Sequence, residues 1–133
     1  MDAELRRIRD EVEINRLIAA YSHAVMRLDA AGSAAVYTED GVLSAFSGPD
    51  VIGRNKIERM LGKVYAPLRF LSQNCGSVVI HVDGDTARAS SSVAEFVQYK
   101  DKEPLSCCFG NYDDTLLRTP DGWRFTKRRF NPF

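Results

Sequence analysis

With 133 residues, 18 Lys plus Arg against 18 Asp plus Glu, and 27% charged residues, the chain has the length of one domain and no net charge to draw in nucleic acid or an anionic membrane. No run approaches the roughly 20 apolar residues of a membrane-spanning helix, and the N-terminus MDAELRRIRDEVE is too charged for a signal peptide. The expectation is a single cytoplasmic domain over residues 1–133 that binds neither nucleic acid nor membrane.

The first segment, ELRRIRDEVEINRLIAAYSHAVMRLD, carries apolar residues at Leu5, Ile8, Val12, Ile14, Leu17, Ile18, Tyr21, Val25 and Leu28. That recurrence predicts one long amphipathic helix. AAGS breaks it, and SAAVYTED reads as a short second helix capped by Ser33. GVLSAF is a strand, SGPDVIG is turn chemistry, and NKIERMLGKVY, with Ile57, Met60, Leu61 and Val64 in register, is a third helix. From Pro67 the period changes. LRFLSQNCGSVVIHV, TARASSSVAEFVQY, LSCCFGNYDDTLLR and WRFTKRRF alternate or run in β-branched and aromatic residues, divided by DGD, KDKEP and TPDG. Two of the dividers are tight enough for hairpins. The fold class is therefore α+β, with helices on one face of a curled, mostly antiparallel sheet.

Several residues stand out for their chemistry. Asp29 falls about 40° from Val25 and about 80° from Tyr21 on the helix wheel, in line with Ile18 and Ile14. A carboxylate on an apolar stripe is costly unless paired or facing a hydrated pocket, and the negative end of the helix dipole disfavours it further. Such a setting suits a general base, whereas fraying of the helix would leave Asp29 a solvated turn residue or cap. On the second long strand Ala87, Ala89, Ser91, Val93, Glu95 and Val97 share a face of small and apolar residues, which makes Glu95 a pocket acid or an ion-pair partner of Arg128. Gln73, in step with Leu71 and Cys75, could bind a substrate oxygen or satisfy a strand neighbour. Tyr112 shares its face with Cys108, Gly110 and Asp114 and would offer a phenol to the cavity or simply pack. His23 reads as a surface or interface residue, and His81, at the sheet's end, reads the same way. No phosphate loop, Ser/His/Asp arrangement or metal-ligand spacing occurs, and Cys75, Cys107 and Cys108 read as small buried apolar residues, so neither metal nor cofactor is expected.

The order of elements, with Y-x7-D in the first helix, TEDGV after the second, VDGDTA in a hairpin and DGWRF in the last strand, resembles the SnoaL-like branch of the NTF2-like superfamily. It is similar to the dehydrochlorinase and scytalone dehydratase group in particular. The resemblance implies a cone-shaped, cystatin-like α+β fold, three N-terminal helices packed on the sheet around a deep pocket, often as an oligomer, with cofactor-free lyases, isomerases and hydrolases among its members. In the dehydrochlorinase pattern a base Asp ends the first helix eight residues after a Tyr, as Asp29 follows Tyr21, and works with a His on the second strand. Here the His position falls on Gln73, with Asn74 beside it, so the dyad is broken. The family's last-strand Arg carries over as Arg128, five residues after Trp123, and a third-strand Tyr as Tyr112.

The combined expectation is a cofactor-independent lyase, of dehydratase type, or an isomerase acting on a small apolar, aromatic or polycyclic substrate, in a dimer or trimer. Asp29 is the expected base, with Gln73, Glu95, Tyr112 and Arg128 as its partners. Tyr21, Val25, Leu71, Asn74, Val93, Cys108, Gly110 and Phe130 are the expected walls, and the packing of Phe46, Phe70, Leu71, Phe109 and Phe130 sets the volume. The alternatives are an epoxide-hydrolase-type enzyme and a non-catalytic binding or assembly module.

Overall fold

Helix α1 (Ala3–Met26) opens the chain in a computed structural model that describes residues 2–45, 47–102 and 104–133; Phe46 lies outside the described residues. Asp2 caps α1 by accepting from the Leu5 amide, which satisfies one of the free N–H groups of the first turn. Ile14, Leu17, Ile18, Tyr21 and Val25 are buried, whereas Leu5, Ile8 and Val12 are 56%, 47% and 44% exposed. The single stripe read from the sequence is thus two. Leu5 and Ile14 lie about 180° apart at 100° per residue, and only the Ile14 side meets the sheet.

The chain continues through α2 (Ala30–Ala35), β1 (Tyr37–Ser44), β2 (Val51–Ile52), α3 (Arg54–Tyr65), β3 (Leu68–Asp83), β4 (Thr86–Tyr99), β5 (Ser106–Thr119) and β6 (Gly122–Pro132). The second helix starts earlier and ends sooner than its sequence suggests, because Asp29 rather than Ser33 caps it and the β-branched and aromatic Val36-Tyr37 pair leads into a strand. The six strands form one curled sheet, ordered β2-β1-β6-β5-β4-β3, in which only the β1–β6 pairing is parallel. Hairpins at Gly84 and Gly122, with φ of +63° and +103°, join β3 to β4 and β5 to β6, as the DGD and TPDG dividers predict. No helix among the described residues is long and apolar enough to cross a membrane.

One irregularity positions the interior of β6. Thr115 pairs with Lys127 but Leu116 with Phe125, so Thr126 is an extra residue in β6. The bulge brings Phe125 and Arg128 to the same inner face, which unbroken alternation would forbid; both are 0% exposed. Thr126 itself leaves the face on which alternation puts it with Arg128, and its hydroxyl pairs with that of Thr115 instead.

A second device ties the start of α1 to the end of the sheet. Asp10, buried on the Ile14 side of the helix, receives two bonds from Arg118 at 2.7 and 3.0 Å and one from Trp123 Nε1 at 3.2 Å. The Arg118 guanidinium stacks 4.6 Å above the Trp123 ring and holds the Asp10 carboxyl below its ordinary pKa.

Candidate active site

Between the sheet's inner face and the helices lies a cavity of about 180 Å³. Tyr21 and Val25 reach it from α1, Leu61, Val64 and Tyr65 from α3, and Leu43 and Ala45 from β1 and the residue after it. The sheet contributes Leu71 and Gln73 from β3, Glu95 from β4, Cys108 and Tyr112 from β5, and Phe130 from β6. The helical side is mostly apolar, and Gln73, Glu95, Cys108 and Tyr112 gather on the strand side. Strand alternation explains this: Glu95 stands directly opposite both Gln73 and Cys108 in the sheet register, and all three share the inward face with Tyr112.

Gln73 is the junction of the polar wall. It is 2% exposed, its Oε1 accepts from the Ser22 hydroxyl at 2.8 Å, and its Nε2 lies 3.0 Å from Glu95 Oε2 and 3.4 Å from the Tyr112 hydroxyl. The amide thus turns its two hydrogens toward the carboxylate and the phenol. The bond to the charged carboxylate contributes about 1.5–3 kcal/mol, and the bond to Tyr112 leaves that hydroxyl's own hydrogen directed elsewhere. Among the described residues no protein group accepts it.

Tyr112 is buried, and burial pushes its phenol above its ordinary pKa even though Arg128 pulls it down, so the group is a neutral donor at physiological pH. Tyr21, also buried, is raised by the same cause. Tyr65 is pushed up to about 12, chiefly by burial, and its hydroxyl shares a 2.9 Å hydrogen bond with Ser33 Oγ. Cys108 is exposed rather than buried as its sequence suggests, yet partial desolvation, and after it the neighbouring Glu95, raises its thiol as well.

Arg128 stands behind this wall rather than in it. Its guanidinium carbon lies 3.8 Å from the Tyr112 ring centre, 4.4 Å from Phe125 and 4.8 Å from Tyr21. Asp114, not Glu95, is its ion-pair partner, with Nε and Nη2 at 2.8 and 3.1 Å from the two carboxylate oxygens and neither side chain exposed. Burial opposes the guanidinium's charge, but Asp114 together with Tyr112 and Tyr37 outweighs it and keeps Arg128 protonated.

Besides Arg128, four expected site residues stand elsewhere. Asp29 is not on the last turn of α1: that helix ends in a Schellman motif, in which Leu28, at φ +55°, bonds to Val25 O and Asp29 N bonds to Ala24 O. The reversal carries Asp29 out of the stripe to cap α2 through Gly32 N, with its side chain 43% exposed and Arg27 4.0 Å away. Asn74 is exposed because strand alternation turns it away from Gln73 to the outer face. Val93 is buried but packs in the core beyond the cavity. Gly110 is buried against β6, where an added Cβ would collide with Asn131 O and the Phe130 ring, so it admits Phe130 to the wall without lining it.

The structure adds residues the sequence reading left aside. Ser22 lies about 40° from Ile18 on the helix wheel, at the edge of the buried face, and Tyr65 is one turn beyond Leu61 on the buried side of α3. Both signals were present but pointed only to packing. No group of three or more His, Cys, Asp or Glu among the described residues is placed to hold a metal ion.

A helix-backed curled sheet with a part-polar cavity defines the class, and likeness to known proteins names the family. The chain belongs to the SnoaL-like domain family, whose sequence model matches residues 6–129. It is 34% identical over 125 residues to an uncharacterized protein of Mycobacterium tuberculosis, covering 91% of this chain and 84% of that one. Among solved structures it is similar to an NTF2-like protein with a cystatin-like fold from Novosphingobium aromaticivorans, at 26% identity and a TM-score of 0.83 over 96% of this chain and 84% of the other. A candidate scytalone dehydratase from the same organism superposes with a TM-score of 0.86 at 23% identity, over 98% and 86% of the two chains, a likeness of fold.

Proposed function

We propose that the protein is a cofactor-independent enzyme that moves a proton on a small, uncharged, single-ring substrate, with Glu95 as base and Tyr112 as hydrogen-bond donor. The observation that carries this reading is the Gln73 amide, which points at both groups at once in the wall of an otherwise largely apolar cavity. Glu95 keeps its second oxygen for a substrate C–H, and Tyr112 keeps its proton for the substrate oxygen next to that carbon. Among the described residues no cationic side chain lines the cavity, so a carboxylate or phosphate on the substrate would go unpaired there. An apolar cavity of about 150 Å³ holds a benzene molecule, so of the two kinds of substrate expected from the sequence, aromatic or polycyclic, a volume of about 180 Å³ favours a single ring.

In the elimination form of the reaction, the C–H bond breaks toward Glu95 and its electron pair becomes a carbon–carbon double bond. The adjacent C–O bond breaks, and the hydroxide leaves as water with the proton of Tyr112, which the protonated Glu95 then restores. In the isomerase form Glu95 returns the proton to a second carbon of the same molecule. The neighbouring folds, one of them named for a dehydratase, fit the first form.

The test is incubation in deuterium oxide with a panel of single-ring ketones and β-hydroxy ketones, read by mass spectrometry. Deuterium uptake or loss of water with at least one member is the expected result. Tight binding across the panel with neither exchange nor elimination would indicate a passive binding module instead.

A further inference from the structure

We propose that Ser22 is a positioning residue for the Glu95–Tyr112 pair, acting through the orientation of the Gln73 amide; this rests on the reading of that pair as the proton-transferring site. Ser22 is 6% exposed, and its hydroxyl reaches Gln73 Oε1 at 2.8 Å from the α1 side of the cavity. Gln73 is itself 2% exposed, so each of its polar atoms must find a partner within the protein. Oε1 finds Ser22, and Nε2 finds Glu95 and Tyr112.

The consequence lies in the direction of the hydrogens. A primary amide has an acceptor end and a donor end, and it can rotate to exchange them. While Ser22 donates to Oε1, the donor end faces β4 and β5, Tyr112 acts as an acceptor toward Gln73, and the Tyr112 proton stays available to the cavity. Without the Ser22 hydroxyl, Oε1 becomes a buried acceptor with no donor. The Tyr112 hydroxyl, already 3.4 Å from the amide, is the near group that can supply one. Rotation of the amide toward it would spend the Tyr112 proton on Gln73 and turn the carbonyl toward the Glu95 carboxylate, where two acceptors repel. An amide in this place cannot take up a proton as an imidazole would, so its contribution to the pair is orientation, and Ser22 sets that orientation from a different element of the fold.

The experiment uses the full-length ¹⁵N-labelled protein and three variants, Ser22→Ala, Ser22→Thr and Gln73→Met, the last serving to assign the Gln73 side-chain amide signals. In the wild type the two Gln73 amide hydrogens are expected as separate signals protected from water exchange. In Ser22→Ala they shift and lose protection, and in Ser22→Thr, which keeps the hydroxyl, they return. With the best ketone of the panel, Ser22→Ala lowers the deuterium exchange rate at saturation about tenfold, of the order of one hydrogen bond, at unchanged KM, and Ser22→Thr restores it.

Unaltered amide signals in Ser22→Ala overturn the proposal, and so do altered signals with undiminished turnover. If the wild type exchanges deuterium with no probe, the proposed activity fails by itself; the amide signals then still decide whether Ser22 orients Gln73.

Discussion

Gln73 Nε2 lies 3.0 Å from Glu95 Oε2, across the β3–β4 ladder at a position where the two residues are direct partners. This contact fixes which carboxylate oxygen is occupied and which is free, and it ties the placement of the acid to that of the Tyr112 phenol. Removing the phenolic oxygen alone tests the donor half of the arrangement. Tyr112→Phe keeps the ring that packs on Arg128, Tyr21 and Phe130, so the fold should survive. Turnover should fall about 10²-fold, as for loss of one oxyanion donor, with KM little changed; steady-state kinetics on the exchanging substrate provide the check.

The Arg128–Asp114 pair predicts a stability effect distinct from a kinetic one. Both side chains are wholly buried, so Arg128→Met strands the Asp114 carboxylate and should destabilise the protein by about 3–5 kcal/mol. The double variant Arg128→Met/Asp114→Leu, which removes both charges, should recover much of that loss. Urea unfolding of the three proteins measures it; a double variant no better than the single one would show that ring stacking on Tyr112, rather than the ion pair, dominates.

How far the sequence disclosed this site depends on the element. Unbroken alternation along β4 and β5 placed Glu95, Cys108 and Tyr112 on the inner face, and the structure keeps them there. On β6 the Thr126 bulge changes the face count, yet Arg128 stays inside because the inserted residue lies before it. The inward Asp29 failed because a Schellman ending normally shows itself by a glycine, and here a leucine holds the left-handed position. Nothing in the pattern could pair Ser22 with Gln73, 51 positions away, since contacts between elements have no period. The likeness to the family supplied Asn74, whose outward direction strand alternation alone already required.

Acid sensitivity should trace in part to Asp10. Arg118, chiefly, and Trp123 favour its charged form in the folded protein, whereas in the unfolded chain it titrates near the ordinary 3.8. A depressed carboxyl pKa contributes stability that is present above that value and is lost as pH falls through the lower folded one. The difference in urea stability between about pH 7, where an ordinary aspartate is fully ionised, and about pH 3, where it is mostly protonated, should therefore be smaller in Asp10→Asn than in the wild type.

Asp29 should behave as a helix cap. Asn also caps, so Asp29→Asn should unfold close to the wild type, while Asp29→Ala should lose about 0.5–2 kcal/mol. Thermal unfolding of the two variants distinguishes a capping role from a neutral surface position, in which case the alanine variant would lose nothing.

Which carboxylate takes the proton is decided by comparing Glu95→Gln with Asp29→Asn on the same exchanging ketone. Glutamine keeps the shape of Glu95 but cannot accept a proton, and asparagine does the same for Asp29. With Glu95 as the base, proton exchange falls about 10²-fold or more in Glu95→Gln and stays at the wild-type rate in Asp29→Asn. The reverse pattern, with Asp29→Asn inactive and Glu95→Gln undiminished, would make Asp29 the base and exclude Glu95 from that role.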